Sequence, residues 1–477
     1  MPDNNKKVDV LIIGAGPSGL GAAWRLSSHL REGQAPSFVL VDNHTRPGGW
    51  ARSVNRNGFT FDFGGHVFFP HKHYRLFGDL VTQLPIQWSS SCPERGTWTA
   101  GRFIPYPVQQ NIHRLPTAVF MKCLAGLATQ RLKRKFSAGI PPIHLEDYLT
   151  HTFGGPLKDA LLGPLNHKMW AHPTRDLDTN WVTYRSGSAA CNIPEVNLSR
   201  MVWQFISSGD SPGWDADTKV NYPVGGSGEI WRQVTKFLDP AKLRFGTSLI
   251  RIDPEAHLAF LSDGSVYRYE HVISAVPLDN LLRALSYQGD LSAMAGLLKY
   301  SRSYVVGLGI RGSLPPQFKT VHSLLVPDSD IAFWRLSFPS NVSAGNVPSA
   351  GPCWSGLCEI SQLPSAGRMA SKAEVLRDVV SGLLKMGLLR NEGDVLTHFC
   401  VRLEHGYPTP FLGRDSVLNE IQPRLEALGI LSRGRFGGWK YEVSNQDHAF
   451  MQGVEAADLT TLGKAEETYT NAQLVNC

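Results

Sequence analysis

The sequence has little that would tie it to an oxidising compartment, a membrane or a nucleic acid. Its seven cysteines (92, 123, 191, 353, 358, 400 and 477) are scattered, odd in number and without CxxC spacing. That excludes a disulfide framework and a zinc site, and no metal is expected. No run of about 18 apolar residues occurs, so no membrane-spanning segment is expected. The start, MPDNNKKVDVLIIGAG, passes from a polar lead into a strand-like run without a signal-peptide core, and a cytoplasmic location is the expectation. Charge is also short of extremes. Lys and Arg number 47 against 41 Asp and Glu, a net charge of +6 with no block of five or six like charges. The densest cluster, QRLKRK (Gln130–Lys135), follows an apolar helical stretch. It reads as a solvated helix end rather than a nucleic-acid patch.

What is present is glycine, 46 residues of it in a chain of 477. That length exceeds what one core supports, so two or three domains are expected. VDVLIIGAGPSGLGAAWRL opens with a continuous apolar run, the pattern of a strand buried on both faces. Gly14, Gly16 and Gly19 then give GxGxxG, with Ser18 inside the turn and an Ala/Leu-rich helix pattern behind it. Between strand and helix these glycines allow the tight turn, the approach of a pyrophosphate and close helix–strand packing. A second apolar run ends in Asp42, an acid placed for a ribose hydroxyl. GLGIRG (Gly307–Gly312) matches the same motif but begins inside a strand-like run and leads into SLPPQ, where no helix can start. It is not read as a nucleotide site. After Asp42 the chain leaves the mononucleotide pattern for RPGGWARS and the hairpin GFTFDFGGHVFF. That favours a long cofactor approached a second time, through Gly49 and Ser53, over a simple NAD fold.

These stretches, with PYPVQQNI, GPLNHKMWAHPT, YPVGGSGEIW, EHGYPTP and SRGRFGGWKYEVSNQDHAFMQGVEA, resemble the eukaryotic UDP-galactopyranose mutases, most closely the fungal type, nearly end to end. The resemblance implies an α/β fold in three parts. A discontinuous FAD-binding Rossmann-like domain would take residues 1–85, 223–295 and 400–477. An inserted helical domain would take 110–198, and an antiparallel β-sheet substrate domain 86–109, 199–222 and 296–399. The family's reaction is redox-neutral yet needs reduced FAD. It converts UDP-galactopyranose to UDP-galactofuranose through a flavin N5–sugar adduct, with NAD(P)H as a transient reductant. The implied partners are a nucleotide sugar, first of all a UDP-sugar, with homo-oligomerisation open and neither nucleic acid nor membrane expected. A mutase-like enzyme on another nucleotide sugar or glycosyl substrate, and an FAD amine-oxidase-type oxidoreductase, stay open as alternatives.

Carried over by position, Gly64, Gly65 and His66 lie against the flavin, with His71 nearby at the wall or simply packed. Arg185 and Arg335 clamp the diphosphate by their guanidinium forks, or are paired to a structural carboxylate. Tyr106 and Gln109 form the uracil platform. Asn166, Trp170, Tyr407, Tyr441 and Asn445 line the sugar and phosphate pocket. Arg435, Asn445 and Gln446 contact FAD. The chain also departs from the family. Asp217 stands where an Asn is usual, Ser323 and Leu325 where Trp and Tyr contact the nucleotide, and Val342 where another active-site Tyr lies. Trp50 follows Gly48–Gly49 in place of Leu, and the remaining nucleotide arginine aligns only loosely, at Arg95. These departures predict a wider, less polar pocket on the diphosphate side.

Overall fold

A computed structural model describes residues 6–31, 36–66, 68, 71–92, 94–136, 142–183, 197–211, 219–286, 289–365 and 370–476. Arg185 and Asp217 lie outside the described residues.

The apolar run at the start forms the strand Lys6–Ile13, buried from Val10 onward. Parallel neighbours flank it on both sides, Phe38–Asp42 and Val266–Ser274, so Leu11 stands level with both Val39 and Val272. The sheet extends to Leu243–Phe245 on one side and to Leu258–Leu261 and Leu249–Asp253 on the other, with Ile430–Ser432 pairing to Val266–Ser274. Helices Pro17–Arg31 and Gln446–Leu462 cross each other on one face. They approach so closely that a Cβ on Gly453 would lie 1.8 Å from the Ser18 carbonyl oxygen. Gly14 follows the first strand directly, with φ +99°, so the turn opens at the carboxyl edge of a parallel sheet, where such folds bind ligands.

A second seven-stranded sheet runs in the order Val395–Pro408, Tyr300–Arg311, Cys353–Gln362, Arg335–Ser337, Val321–Leu325, Glu94–Thr99, Arg102–Pro105. Its pairs are antiparallel except Val321–Leu325 with Glu94–Thr99. The strand ending at Pro408 pairs along Tyr300–Arg311, so residues 400–408 belong to this sheet rather than to the dinucleotide side. The second GxGxxG match runs from within Tyr300–Arg311 to just past its end, and its first two glycines have a packing use. A Cβ on Gly307 would meet the Phe61 ring at 2.4 Å, and one on Gly309 the Phe59 ring at 2.8 Å. The hairpin Ser53–Arg56/Phe59–Asp62 is thereby seated on the second sheet. Its continuation, Gly64–Gly65–His66, comes to lie between the two sheets.

Helices Thr117–Phe136, Leu145–Phe153, Gly163–Trp170 and Leu198–Ser207 share a core that includes Phe120, Leu149, Phe153, Trp170 and Met201. Met201 carries Leu198–Ser207 into this helical core and away from the sheet assigned to residues 199–222. Val220–Pro223 instead pairs with Trp88–Ser91 in a separate two-stranded ribbon. Trp334, Tyr407 and Leu325 belong to the helical core as well, so the second sheet and the helices meet beside Arg335.

Candidate functional site

At the dinucleotide end, Asp42 is buried and uses both oxygens on backbone. Oδ2 accepts from Ala15 N–H at 2.6 Å and Oδ1 from His44 N–H at 2.7 Å, which ties the glycine turn to the second strand. Gly48 N–H donates to Ala15 O at 2.7 Å, and a Cβ on Gly49 would stand 3.1 Å from Gly16 Cα. The two glycine turns therefore lie back to back around the first turn of helix Pro17–Arg31. Ser18 Oγ is buried there without a partner among the described residues. Helix-terminal N–H groups, a buried free hydroxyl and glycine backbone suit a pyrophosphate. Ser53 is employed otherwise: its hydroxyl donates to Asp62 Oδ1 at 2.5 Å and accepts from Gly228 N–H at 2.8 Å.

Asp62 closes the hairpin as a buried carboxylate. Tyr222 OH at 2.8 Å and Ser227 N–H at 3.0 Å also donate to it, and burial raises its pKa despite these donors and His66. Beyond it, His66 N–H donates to Gly64 O at 2.8 Å, closing a tight turn. Gly65 N–H donates to Glu359 Oε1 at 2.8 Å. Arg335 binds the same oxygen through Nε at 2.8 Å and Nη2 at 2.5 Å, and its guanidinium lies 4.7 Å over the Trp334 ring. Tyr407 OH reaches the other oxygen, Oε2, at 3.4 Å. A Cβ on Gly65 would meet Ser337 Oγ at 2.7 Å and Arg335 Cζ at 3.1 Å, so only glycine lets this loop sit against the arginine. Burial works against the charged guanidinium, but Glu359 more than offsets it and raises the Arg335 pKa. Burial lowers the His66 pKa and keeps the imidazole neutral. Arg335 thus shows the second of its two expected readings, pairing to a buried carboxylate, and lies against the glycine loop as it does so.

Glu359 was not singled out from sequence. Its signal was there: one acid inside the apolar strand CWSGLCEISQ, on its buried stretch.

An aromatic wall surrounds this pair. Trp170, fully buried, meets Tyr441 edge-on at 4.9 Å and Tyr407 at 5.8 Å. Arg435 lies 4.9 Å over Tyr407 and 5.4 Å over Tyr441, and donates to Ser444 Oγ at 3.0 Å. Asn166, one helical turn before Trp170, donates to Leu162 O at 2.8 Å. Asn445 stands at the N-terminus of helix Gln446–Leu462, and Gln446 Oε1 accepts from Trp231 Nε1 at 2.8 Å. His71 is engaged by Asp447 Oδ2 through both its ring Nδ1 (2.7 Å) and its backbone N–H (2.8 Å), fastening the segment after the loop to the same helix. Arg95 lies 5.2 Å over the Tyr106 ring, and Gln109 is buried nearby in the turn Val108–Gln110. Beside Gly65 and His66 opens a cavity of about 110 Å³, walled also by Arg95, His322, Ser323, Arg335, Ser337 and Val342.

Residues 12–84 match the family described as an NAD(P)-binding Rossmann-like domain. Protoporphyrinogen oxidase from Homo sapiens is 25% identical over 368 residues, covering 69% of this chain and 73% of that protein. Cyclohexylamine oxidase from Brevibacterium oxydans IH-35A shares the fold at 17% identity and a TM-score of 0.65, covering 96% of this chain and 99% of that one. The crystal structure of a reduced UDP-galactopyranose mutase is far nearer. It is 37% identical, with a TM-score of 0.88, over 98% of this chain and 99% of that one. The chain belongs to the UDP-galactopyranose mutase family.

In this mutase-family chain two of the departing residues, Ser323 and Val342, stand in the cavity wall. Leu325 does not: it packs into the helical core. Of the aromatics that could replace the missing rings, Trp334 lies under Arg335, whereas Phe333 is buried in the core of the second sheet. His322, also in the wall, is 5% exposed. Burial first, and Arg95 second, push its pKa down to about 4 from the usual 6.5. The native state then binds fewer protons than the unfolded chain between these values, so stability should fall as pH drops from 6.5 towards 4, by up to about 3 kcal/mol. Unfolding free energies at pH 7.5 and 5 check this. His322→Gln should flatten the difference, and an unchanged slope would remove His322 as its source.

Proposed function

We propose that the protein is a flavin-dependent, redox-neutral mutase that interconverts the pyranose and furanose forms of a nucleotide sugar, UDP-galactose in the first place. The observation that carries this reading is the meeting of the Gly64–His66 turn with Arg335 and Glu359, in a chain that matches a UDP-galactopyranose mutase over its full length. Reduced FAD, when bound, would supply the nucleophile for the anomeric carbon, which no side chain here needs to provide.

The chain's own residues have the remaining tasks. Gly14, Gly16, Ser18 and Gly19, with the Gly49 turn against them, hold the dinucleotide, and Arg435, Asn445 and Gln446 bound its far end. Arg335, together with Arg185, takes the substrate diphosphate. Tyr106 and Gln109 receive the base by stacking and by its polar edge. Asn166, Trp170, Tyr407 and Tyr441 orient the sugar and exclude water. His66, neutral through burial, adds no charge beside the reacting carbon, so the diphosphate stays on the arginines.

Turnover should require dithionite or a nicotinamide reductant, with no net reductant consumed per product formed. Full activity of the oxidised enzyme would refute the reading, and steady oxygen consumption with an amine would assign an oxidase role instead. Ser323 and Val342 in the cavity wall favour a second reading, in which the same chemistry acts on a different nucleotide sugar. A substrate panel separates the two.

A further inference from the structure

Lys168 stands between Asn166 and Trp170 on helix Gly163–Trp170. Its Nζ reaches four backbone carbonyls in the segment that joins strands Val321–Leu325 and Arg335–Ser337. They are Val326 O at 2.7 Å, Asp328 O at 2.9 Å, Ile331 O at 2.8 Å and Phe333 O at 2.8 Å. A lysine near a helix end commonly meets the last carbonyls of its own helix. Lys168 instead crosses to chain 158 to 165 positions away. An ammonium carries only three N–H donors. Four converging oxygens therefore form an ion's coordination shell, of the kind carbonyls give potassium, rather than a set of separate directed hydrogen bonds. The acids of the same segment are engaged elsewhere. Asp328 accepts from Thr99 Oγ1 at 2.5 Å and from Ala100 N–H at 3.0 Å, and Asp330 lies 3.5 Å from the Lys385 ammonium.

The segment so gathered touches each part of the substrate site. Phe333 leads into Trp334 and Arg335, whose guanidinium lies over the Trp334 ring. Asp328 fastens the segment to the turn of the hairpin Glu94–Thr99/Arg102–Pro105, which runs directly into Tyr106. Lys168 fastens it to the helix that carries Asn166 and Trp170. Residues 326–333 form no helix or strand, so the shape of the segment depends on what its carbonyls bind. Without a cation, four carbonyl oxygens would face one another and each would lose a partner.

We propose that Lys168 is a positioning residue that acts as a tethered monovalent cation. It holds Arg335, Tyr106 and the Asn166–Trp170 helix in one geometry, and the shell it fills accepts a free ammonium ion once the side chain is cut away. The roles of those site residues rest on the mutase reading above; the shell does not.

Lys168→Ala removes the atoms of a propylammonium ion, Cγ to Nζ. FAD content should be kept, while KM for UDP-galactose and Kd for UDP rise. The ratio kcat/KM should fall about a hundredfold, the scale of an ångström-sized displacement at a site. A variant that only lost folded protein would lower the apparent kcat and leave KM and Kd unchanged. Propylammonium chloride, and more weakly ammonium chloride, should raise the melting temperature of Lys168→Ala and return its Kd for UDP towards wild type. Tetramethylammonium chloride at equal ionic strength, which has no N–H, should do neither. Lys168→Gln fills the same space without a charge, so it should show the raised Kd and no rescue, and it carries the test if Lys168→Ala does not fold. Unchanged Kd in the folded variants would reduce Lys168 to a structural clasp, and rescue no greater with propylammonium than with tetramethylammonium would remove the cation shell. Either result overturns the proposal. Failure of the wild type to bind UDP would instead refute the mutase reading, and rescue of the melting temperature would still decide the shell.

Discussion

Arg335→Ala should lose both stability and turnover, and the two losses should separate on adding a second substitution. Removing the guanidinium leaves Glu359, 3% exposed, as a buried carboxylate with only Gly65 N–H and Tyr407 OH among the described residues to satisfy it. Breaking one side of a buried ion pair costs about 3–5 kcal/mol. The variant should therefore unfold at a distinctly lower temperature. Turnover should fall at least tenfold, and more than a hundredfold if both forks reach phosphate, since charge-assisted hydrogen bonds contribute about 1.5–3 kcal/mol each. Arg335→Ala/Glu359→Gln removes the stranded charge, so most of the stability should return while turnover stays low. If the double variant regains turnover as well, Arg335 only neutralises Glu359 and does not bind substrate.

Gly16→Val should yield a folded, colourless protein. A Cβ on Gly16 meets only Gly49 Cα, at 3.9 Å, so the backbone accommodates a side chain, but valine methyls would fill the space a pyrophosphate needs. Gly19→Ala is the contrasting case. Its Cβ would fall 1.8 Å from the Gly14 carbonyl oxygen, so the helix must move off the turn and the fold itself should suffer. Flavin absorbance and circular dichroism of the two proteins distinguish the effects. A Gly16→Val protein that retains full FAD would displace the dinucleotide from this turn.

The dinucleotide end was legible because its signals are local. Strand, glycine turn, helix and Asp42 fall within one short stretch, and Ala15 and Asp42 close it with a single hydrogen bond. The loop at Gly64 was legible as an anomaly, but its neighbours were not. Glu359 comes to Gly65 across 294 positions of sequence, and nothing in the local pattern of either stretch names the other. Gly307 and Gly309 look like a failed nucleotide motif until Phe59 and Phe61 are placed on them. Leu325 shares a strand with Ser323, yet it lies where the helical core covers the sheet, a fact of inter-domain packing that strand periodicity does not carry. Leu198–Ser207, placed with the sheet by the resemblance alone, joins the helical core instead. Its apolar residues face outward, so hydrophobic pattern alone points away from the core it joins through Met201.

The most direct test is to incubate the reduced enzyme with UDP-galactopyranose and with UDP-galactofuranose and to read ring size by NMR. Formation of the same pyranose–furanose mixture from either side, with the reductant unspent, is the predicted result. No ring interconversion of these or of any other nucleotide sugar by fully reduced, FAD-loaded protein would contradict it.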